Sequence, residues 1–124
     1  LCKEADFISV HAPLVDATRG MIGEEQFNLM KDNAILINTS RGPLIDEKAL
    51  FNALNERKIA FAGLDVFCSE PLIESSELRK LDNVVLTDHA GWYSKESMDE
   101  LKTKAALNVV DTLTKGKPRY IVEI

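Results

Sequence analysis

Two cysteines in 124 residues, Cys2 and Cys68, are too few for a disulfide scaffold and make a reducing setting, the cytoplasm, the expected one. Histidine is equally scarce, at positions 11 and 89, and no CxxC or HxxxH spacing accompanies it, so no metal site is expected. Long apolar runs are missing too. The longest, Ala34–Ile37 and Ile59–Ala62, have four residues, against the ~20 that a membrane span needs. Positive charge is in deficit: 15 Lys and Arg stand against 20 Asp and Glu, a net −5, which argues against nucleic acid as a partner. The six glycines lie at 20, 23, 42, 63, 91 and 116, and no two are separated by one residue. There is therefore no G-x-G-x-x-G turn to cradle a pyrophosphate, and no G-x-S-x-G elbow for hydrolysis. An initiator Met and a signal-peptide pattern are both missing, and Leu1–Asp6 reads like the last turns of a helix, so we expect a part of a larger protein.

What is there is enough for a core. Hydrophobic residues make up 45% and charged ones 28%, which is globular rather than disordered usage. Four apolar runs, Phe7–Val10, Ala34–Asn38, Phe61–Phe67 and Val84–Thr87, do not alternate with polar residues, the pattern of strands buried on both faces of a parallel sheet. Phe7 to Ile35 is 28 residues and Ile35 to Ala62 is 27, close to the ~30 of one strand–helix–strand unit. Helical patterns fill the gaps. Gly23–Met30 is short; Asp46–Arg57 has Asp46 as cap and the stripe Ala49, Leu50, Ala53, Leu54. The longest helix is expected over Lys95–Lys115, between Ser94 as cap and Gly116 as stop, with Met98, Leu101, Ala105, Val109 and Leu113 along one side. Pro118–Ile124 reads as a short strand or an arm. Strands alternating with helices give an α/β layered fold with right-handed crossovers.

In such sheets ligands bind beyond the carboxyl ends of the strands. The residues there are His11-Ala12-Pro13, Thr39-Ser40-Arg41-Gly42, Cys68-Ser69-Glu70-Pro71 and Asp88-His89-Ala90-Gly91. Taken singly, Arg41 is a solvated turn residue, Glu70 a loop carboxylate, and His89 and His11 structural histidines. Taken together, Arg41, Glu70 and His89 all follow strands directly and put a rigid cation, a carboxylate and a titratable base on one edge. An Arg fork matches a carboxylate bidentately. A His works as general acid or base near neutral pH, and a neighbouring carboxylate favours its protonated form. The set suits reduction of an α-keto acid or its reverse, but the residues themselves name no hydride carrier.

Several segments resemble the D-isomer-specific 2-hydroxyacid dehydrogenases, among them phosphoglycerate dehydrogenases, glyoxylate/hydroxypyruvate reductases and D-lactate dehydrogenases. They are Ala5-Asp6-Phe7-Ile8-Ser9-Val10-His11-Ala12-Pro13-Leu14, Asn38-Thr39-Ser40-Arg41-Gly42-Pro43-Leu44-Ile45-Asp46, Gly63-Leu64-Asp65-Val66-Phe67, Glu70-Pro71-Leu72 and His89. The likeness runs from about Ala5 to Tyr120. It implies a Rossmann-like doubly wound parallel sheet, here only its C-terminal half plus a closing helix: a partial NAD-binding domain with strand–helix repeats over about 5–90, the long helix over about 95–115 and a tail over 116–124. It implies NAD (NADP not being excluded), a small 2-keto or 2-hydroxy acid substrate and a homodimer. It makes Arg41 the substrate-carboxylate arginine, His89 the proton donor and Glu70 its acidic partner. It places the cofactor against Ala12, Pro13, Leu14 and Thr18, against Thr39, Ser40 and Arg41, against Asp65 at the carboxamide, and against His89, Ala90, Gly91 and Trp92. The sequence departs from the family at Asp88, where proline is usual, and the family's glycine-rich loop is not among these residues. Trp92-Tyr93-Ser94 also resembles the C-terminal-binding-protein corepressors, which implies an NAD(H)-sensing scaffold as the alternative; Trp92 then either closes over the nicotinamide or stands at the rim.

Overall fold

A computed structural model describes residues 1–121. The chain forms two compact units, Leu1–Gly91 and one that begins at Trp92.

The first unit is a four-stranded sheet of β1 (Phe7–Val10), β2 (Ile35–Asn38), β3 (Phe61–Leu64) and β4 (Val84–Leu86). All neighbours are parallel and the spatial order follows the chain, β1-β2-β3-β4. The register aligns Ile8 with Leu36, Leu36 with Ala62, and Ala62 with Val84. Two helices connect the strands, α1 (Glu24–Leu29) and α2 (Glu47–Asn55). The expected strand and helix cores are all present; Phe7–Val10 and Lys95–Lys115 keep their expected bounds and the others are shortened by one to three residues at an end. Helix α2 starts where Asp46 accepts from the Lys48 and Ala49 amides at 3.0 and 3.1 Å. It stops two residues before Arg57, whose φ of 56° is a left-handed turn that no helix continues through.

The sheet is not buried on both faces by this unit, contrary to the expectation from its unbroken apolar runs. Ile8, Val10, Leu36, Ala62 and Leu64 share one core with Phe27, Leu50, Ala53 and Leu54 of the helices. At the alternate positions Phe7 is 70% exposed and Val85 52%. The reason is topological. When strand order follows chain order, each crossover steps in the same direction, and a constant right hand brings every connecting helix to the same face.

The second unit is built on α3 (Lys95–Lys115). Ser94 accepts from the Ser97 amide at 3.0 Å, and Gly116 ends the helix at φ 77°, both as the sequence predicts. Its apolar side is uncovered: Leu101, Val109 and Leu113 are exposed. The residue the helix does bury is Asp111, ion-paired with Lys115 and with Arg119, the latter at 2.7 Å. The tail therefore folds back on its own helix, and Tyr120 adds a backbone pair with the Asn108 side chain. Residues 118–121 form neither a strand nor a free arm; 122–124 of that expected segment lie outside the described residues. No helix among the described residues is long and apolar enough to cross a membrane.

Candidate active site

The loops after the four strands converge at the carboxyl edge of the sheet, each held by a polar side chain. Asn38, the last residue of β2, is buried. Its Nδ2 donates to the Arg41 carbonyl and its Oδ1 accepts from the Ser40 amide, both at 3.0 Å, which curls Thr39–Arg41 into a tight turn. Ser40 Oγ donates to the Ala12 carbonyl at 2.9 Å and joins this turn to the loop after β1. Thr18 Oγ1 donates to the Pro13 carbonyl at 2.6 Å and fixes the far side of that loop. His11, Ala12, Pro13, Leu14, Ser40 and Arg41 then line an open cavity of about 560 Å³. Ser9 Oγ lies 2.7 Å from His11 Nε2. The Arg41 guanidinium donates to the Ser40 carbonyl at 2.6 Å and is exposed.

Gly42 brings the Arg41 turn against the loop after β3. A Cβ on Gly42 would stand 2.0 Å from the Phe67 carbonyl carbon, so only glycine lets the two backbones meet this closely. The same loop carries Glu70, whose Oε1 accepts from the Phe67 amide at 3.0 Å and whose Oε2 lies 2.7 Å from His89 Nδ1. The bond with the His89 ring, and after it the Phe67 amide, hold the Glu70 carboxyl below its ordinary range; the Arg41 charge adds to them against partial burial. Of the expected set, Glu70 and His89 are thus in direct contact, and Arg41 acts on Glu70 through its charge.

His89 sits at φ 47°, the left-handed region. A non-glycine residue there costs on the order of 1–3 kcal/mol and must be held by its surroundings. Asp65, buried at the end of β3, does the holding. Its backbone carbonyl accepts from the His89 amide at 2.9 Å. Its Oδ1 accepts from Thr87 Oγ1 at 2.5 Å and from the Ala90 amide at 2.9 Å, and its Oδ2 from the Gly91 amide at 2.7 Å. Burial would raise the Asp65 carboxyl, but the Thr87 hydroxyl and the Gly91 and Ala90 amides outweigh it, with the His89 ring adding, so its pKa lies below the ordinary value. Thr39 also comes to this corner: a Cβ on Gly91 would be 3.8 Å from the Thr39 methyl and 2.9 Å from Asp65 Oδ2. Trp92 opens the second unit, half exposed and edge-on to Tyr93 at 5.5 Å.

Cys68 lies in the same loop as Glu70. Partial burial first, then the Glu47 and Asp46 carboxylates, push its thiol up to about 11, so it stays protonated at neutral pH. Among the described residues no group of three or more His, Cys, Asp or Glu is placed to hold a metal.

Residues 1–91 match the D-isomer specific 2-hydroxyacid dehydrogenase, NAD binding domain. The chain belongs to this family. It is 50% identical over 110 residues to a glyoxylate reductase of Korarchaeum cryptofilum, an overlap of 89% of this chain and 33% of that protein. It is 50% identical over 113 residues to a D-3-phosphoglycerate dehydrogenase of Methanocaldococcus jannaschii, covering 91% of this chain and 21% of the relative. A D-lactate dehydrogenase with NAD+ from Lactobacillus jensenii shares the fold with a TM-score of 0.87 at 34% identity, over 99% of this chain and 41% of that one. The chain thus spans about a third of the length of the first of these relatives, or less of the second.

Two residues of this 2-hydroxyacid dehydrogenase domain escaped the sequence reading, Asn38 and Thr87. A signal existed for the first. A polar residue closing the apolar run Ala34–Asn38 is buried with its strand, and a buried amide needs partners. For Thr87 no local signal existed, because its partner Asp65 is 22 positions away.

Proposed function

We propose that these residues work within a longer oxidoreductase that interconverts a 2-keto acid and a D-2-hydroxy acid with NAD(H). The observation that carries the reading is the 2.7 Å bond between His89 Nδ1 and Glu70 at the strand edge, where the Arg41 charge also acts on Glu70. Arg41 binds and orients the substrate carboxylate through its planar fork. Glu70 keeps the imidazole in one orientation through the bond to Nδ1. With Nδ1 committed to Glu70, Nε2 is the nitrogen that carries the proton to the carbonyl oxygen; in the reverse direction it takes the proton from the hydroxyl.

This domain family binds NAD; when bound, its reduced form would supply the hydride for keto-acid reduction and its oxidised form would accept the hydride in the reverse direction. The residues present suit its nicotinamide end. A carboxylate offers about four acceptor positions, and three of those on Asp65 are taken by Thr87, Ala90 and Gly91, so a carboxamide N–H finds a remaining one. The His11–Leu14 loop, with Ser40 and Arg41, lines the open cavity that would hold the ring. A cytoplasmic homodimer is the setting we propose for the protein.

The test is NADH oxidation by the complete protein with glyoxylate, hydroxypyruvate, pyruvate and 3-phosphohydroxypyruvate. Turnover of at least one is expected. Tight NADH binding with turnover of none would overturn the enzyme reading in favour of a dinucleotide-sensing scaffold.

A further inference from the structure

We infer that Thr87 is a positioning residue for His89, acting through the Asp65 carboxylate. The inference rests on the proton-donor reading of His89 and extends it to a residue with no part in that chemistry.

Three observations carry it. First, His89 occupies a left-handed conformation at φ 47°, so its backbone does not hold this place unaided. Second, the restraints close on it from both sides. Thr87 and Ala90 flank the Asp88–His89 pair and donate to the same oxygen, Asp65 Oδ1, at 2.5 and 2.9 Å, while Gly91 donates to Oδ2 at 2.7 Å. The His89 amide meanwhile binds the Asp65 carbonyl. One buried residue thus gathers four donors from a five-residue loop. Third, the Thr87 contact is the one member of this clamp made by a side chain rather than a backbone amide, so it can be removed without altering the main chain.

Asp65 is 4% exposed, and a carboxylate that far from water needs each of its donors. Without the Thr87 hydroxyl, Oδ1 keeps the Ala90 amide alone. The carboxylate then turns toward water, the amides of Ala90 and Gly91 loosen, and His89 drifts from Glu70. Misplacing a proton donor by a fraction of an ångström costs rate rather than binding. Thr87 is itself exposed, so replacing it leaves the core intact.

The experiment compares Thr87→Val, which keeps the shape and loses the hydroxyl, with Thr87→Ser, which keeps the hydroxyl and loses the methyl, both in the complete protein. Two readouts are taken: kcat against KM for NADH and keto acid, and hydrogen exchange of the Ala90 and Gly91 amides without substrate. Thr87→Val is expected to lower kcat about tenfold, the effect of one hydrogen bond to a charged group. KM for the keto acid should stay within about twofold, exchange at both amides should accelerate, and Thr87→Ser should restore both readouts. Wild-type kcat and exchange in Thr87→Val would overturn the inference. So would a Thr87→Ser variant as impaired as Thr87→Val, since the methyl rather than the hydroxyl would then matter. Should the unaltered protein turn over no keto acid, the functional reading fails by itself, and the exchange rates still decide whether Thr87 holds the loop.

Discussion

Replacing His89 with glutamine is expected to lower kcat by about 10²–10⁴-fold, the range lost when a general acid–base group is removed. Glutamine is the informative choice. Its side-chain amide can still donate to Glu70 Oε2, which lies 2.7 Å from Nδ1 in the native pair, but it carries no transferable proton. The loss therefore reports proton transfer, with the loop still tied to Glu70. Steady-state kinetics with the best keto acid should show kcat falling and KM for NADH nearly unchanged; a kcat within threefold of wild type would remove His89 from its role. Glu70→Gln is expected to be milder in kcat, and its stability effect has a defined pH dependence. The native Glu70 carboxyl is held below its ordinary range by the His89 ring and the Phe67 amide. A carboxyl depressed on folding contributes stability that is complete above its unfolded pKa of ~4.3 and is lost as pH falls through the lower folded value. Melting curves should thus separate wild type from Glu70→Gln at pH 7 and bring them together under strongly acid conditions. A gap that widens on acidification would contradict this origin of the shift.

The parts of this architecture that could be read from the sequence are those written locally. Apolar runs about 28 residues apart mark β1, β2 and β3, and Asp46, Ser94 and Gly116 mark helix ends because capping involves only the next two or three residues. Arg41, Glu70 and His89 are recognisable as a set for the same reason: each lies in the loop that follows a strand, and parallel topology brings such loops to one edge. What could not be read depends on partners distant in sequence. The single covered face of the sheet follows from strand order, and no residue pattern in one strand encodes that order. Nor does anything near Arg119 announce that it returns to Asp111 and holds the tail against α3, or that Thr87 reaches Asp65. The apolar side of α3 was legible as a stripe, yet its exposure in the fold shows that periodicity identifies a face able to be buried without saying what buries it.

Gly42→Ala is expected to have the largest effect on folding of any single-methyl change in this chain. The added Cβ would lie 2.0 Å from the Phe67 carbonyl carbon, 2.1 Å from its oxygen and 2.5 Å from the Cys68 nitrogen. These are backbone atoms, so no rotamer change relieves the clash, and one loop must move away from the other. Overpacking of this kind costs about 3 kcal/mol or more when the main chain has to shift, a large share of the ~5–15 kcal/mol that holds a domain together. The displacement acts where the chemistry is, between Arg41 and the Phe67–Glu70 segment, so protein that does fold should bind keto acid poorly as well. Gly63→Ala is the matched control. It adds the same methyl in the middle of β3, where nothing lies within 4 Å of the new atom, and the change should stay within about 0.5 kcal/mol. Chemical denaturation of the two variants beside the parent chain separates the alternatives. A drop confined to Gly42→Ala locates the requirement in the close approach of two backbones, whereas equal losses would mean that the flexibility of glycine, rather than the space it leaves, is what the fold requires at position 42.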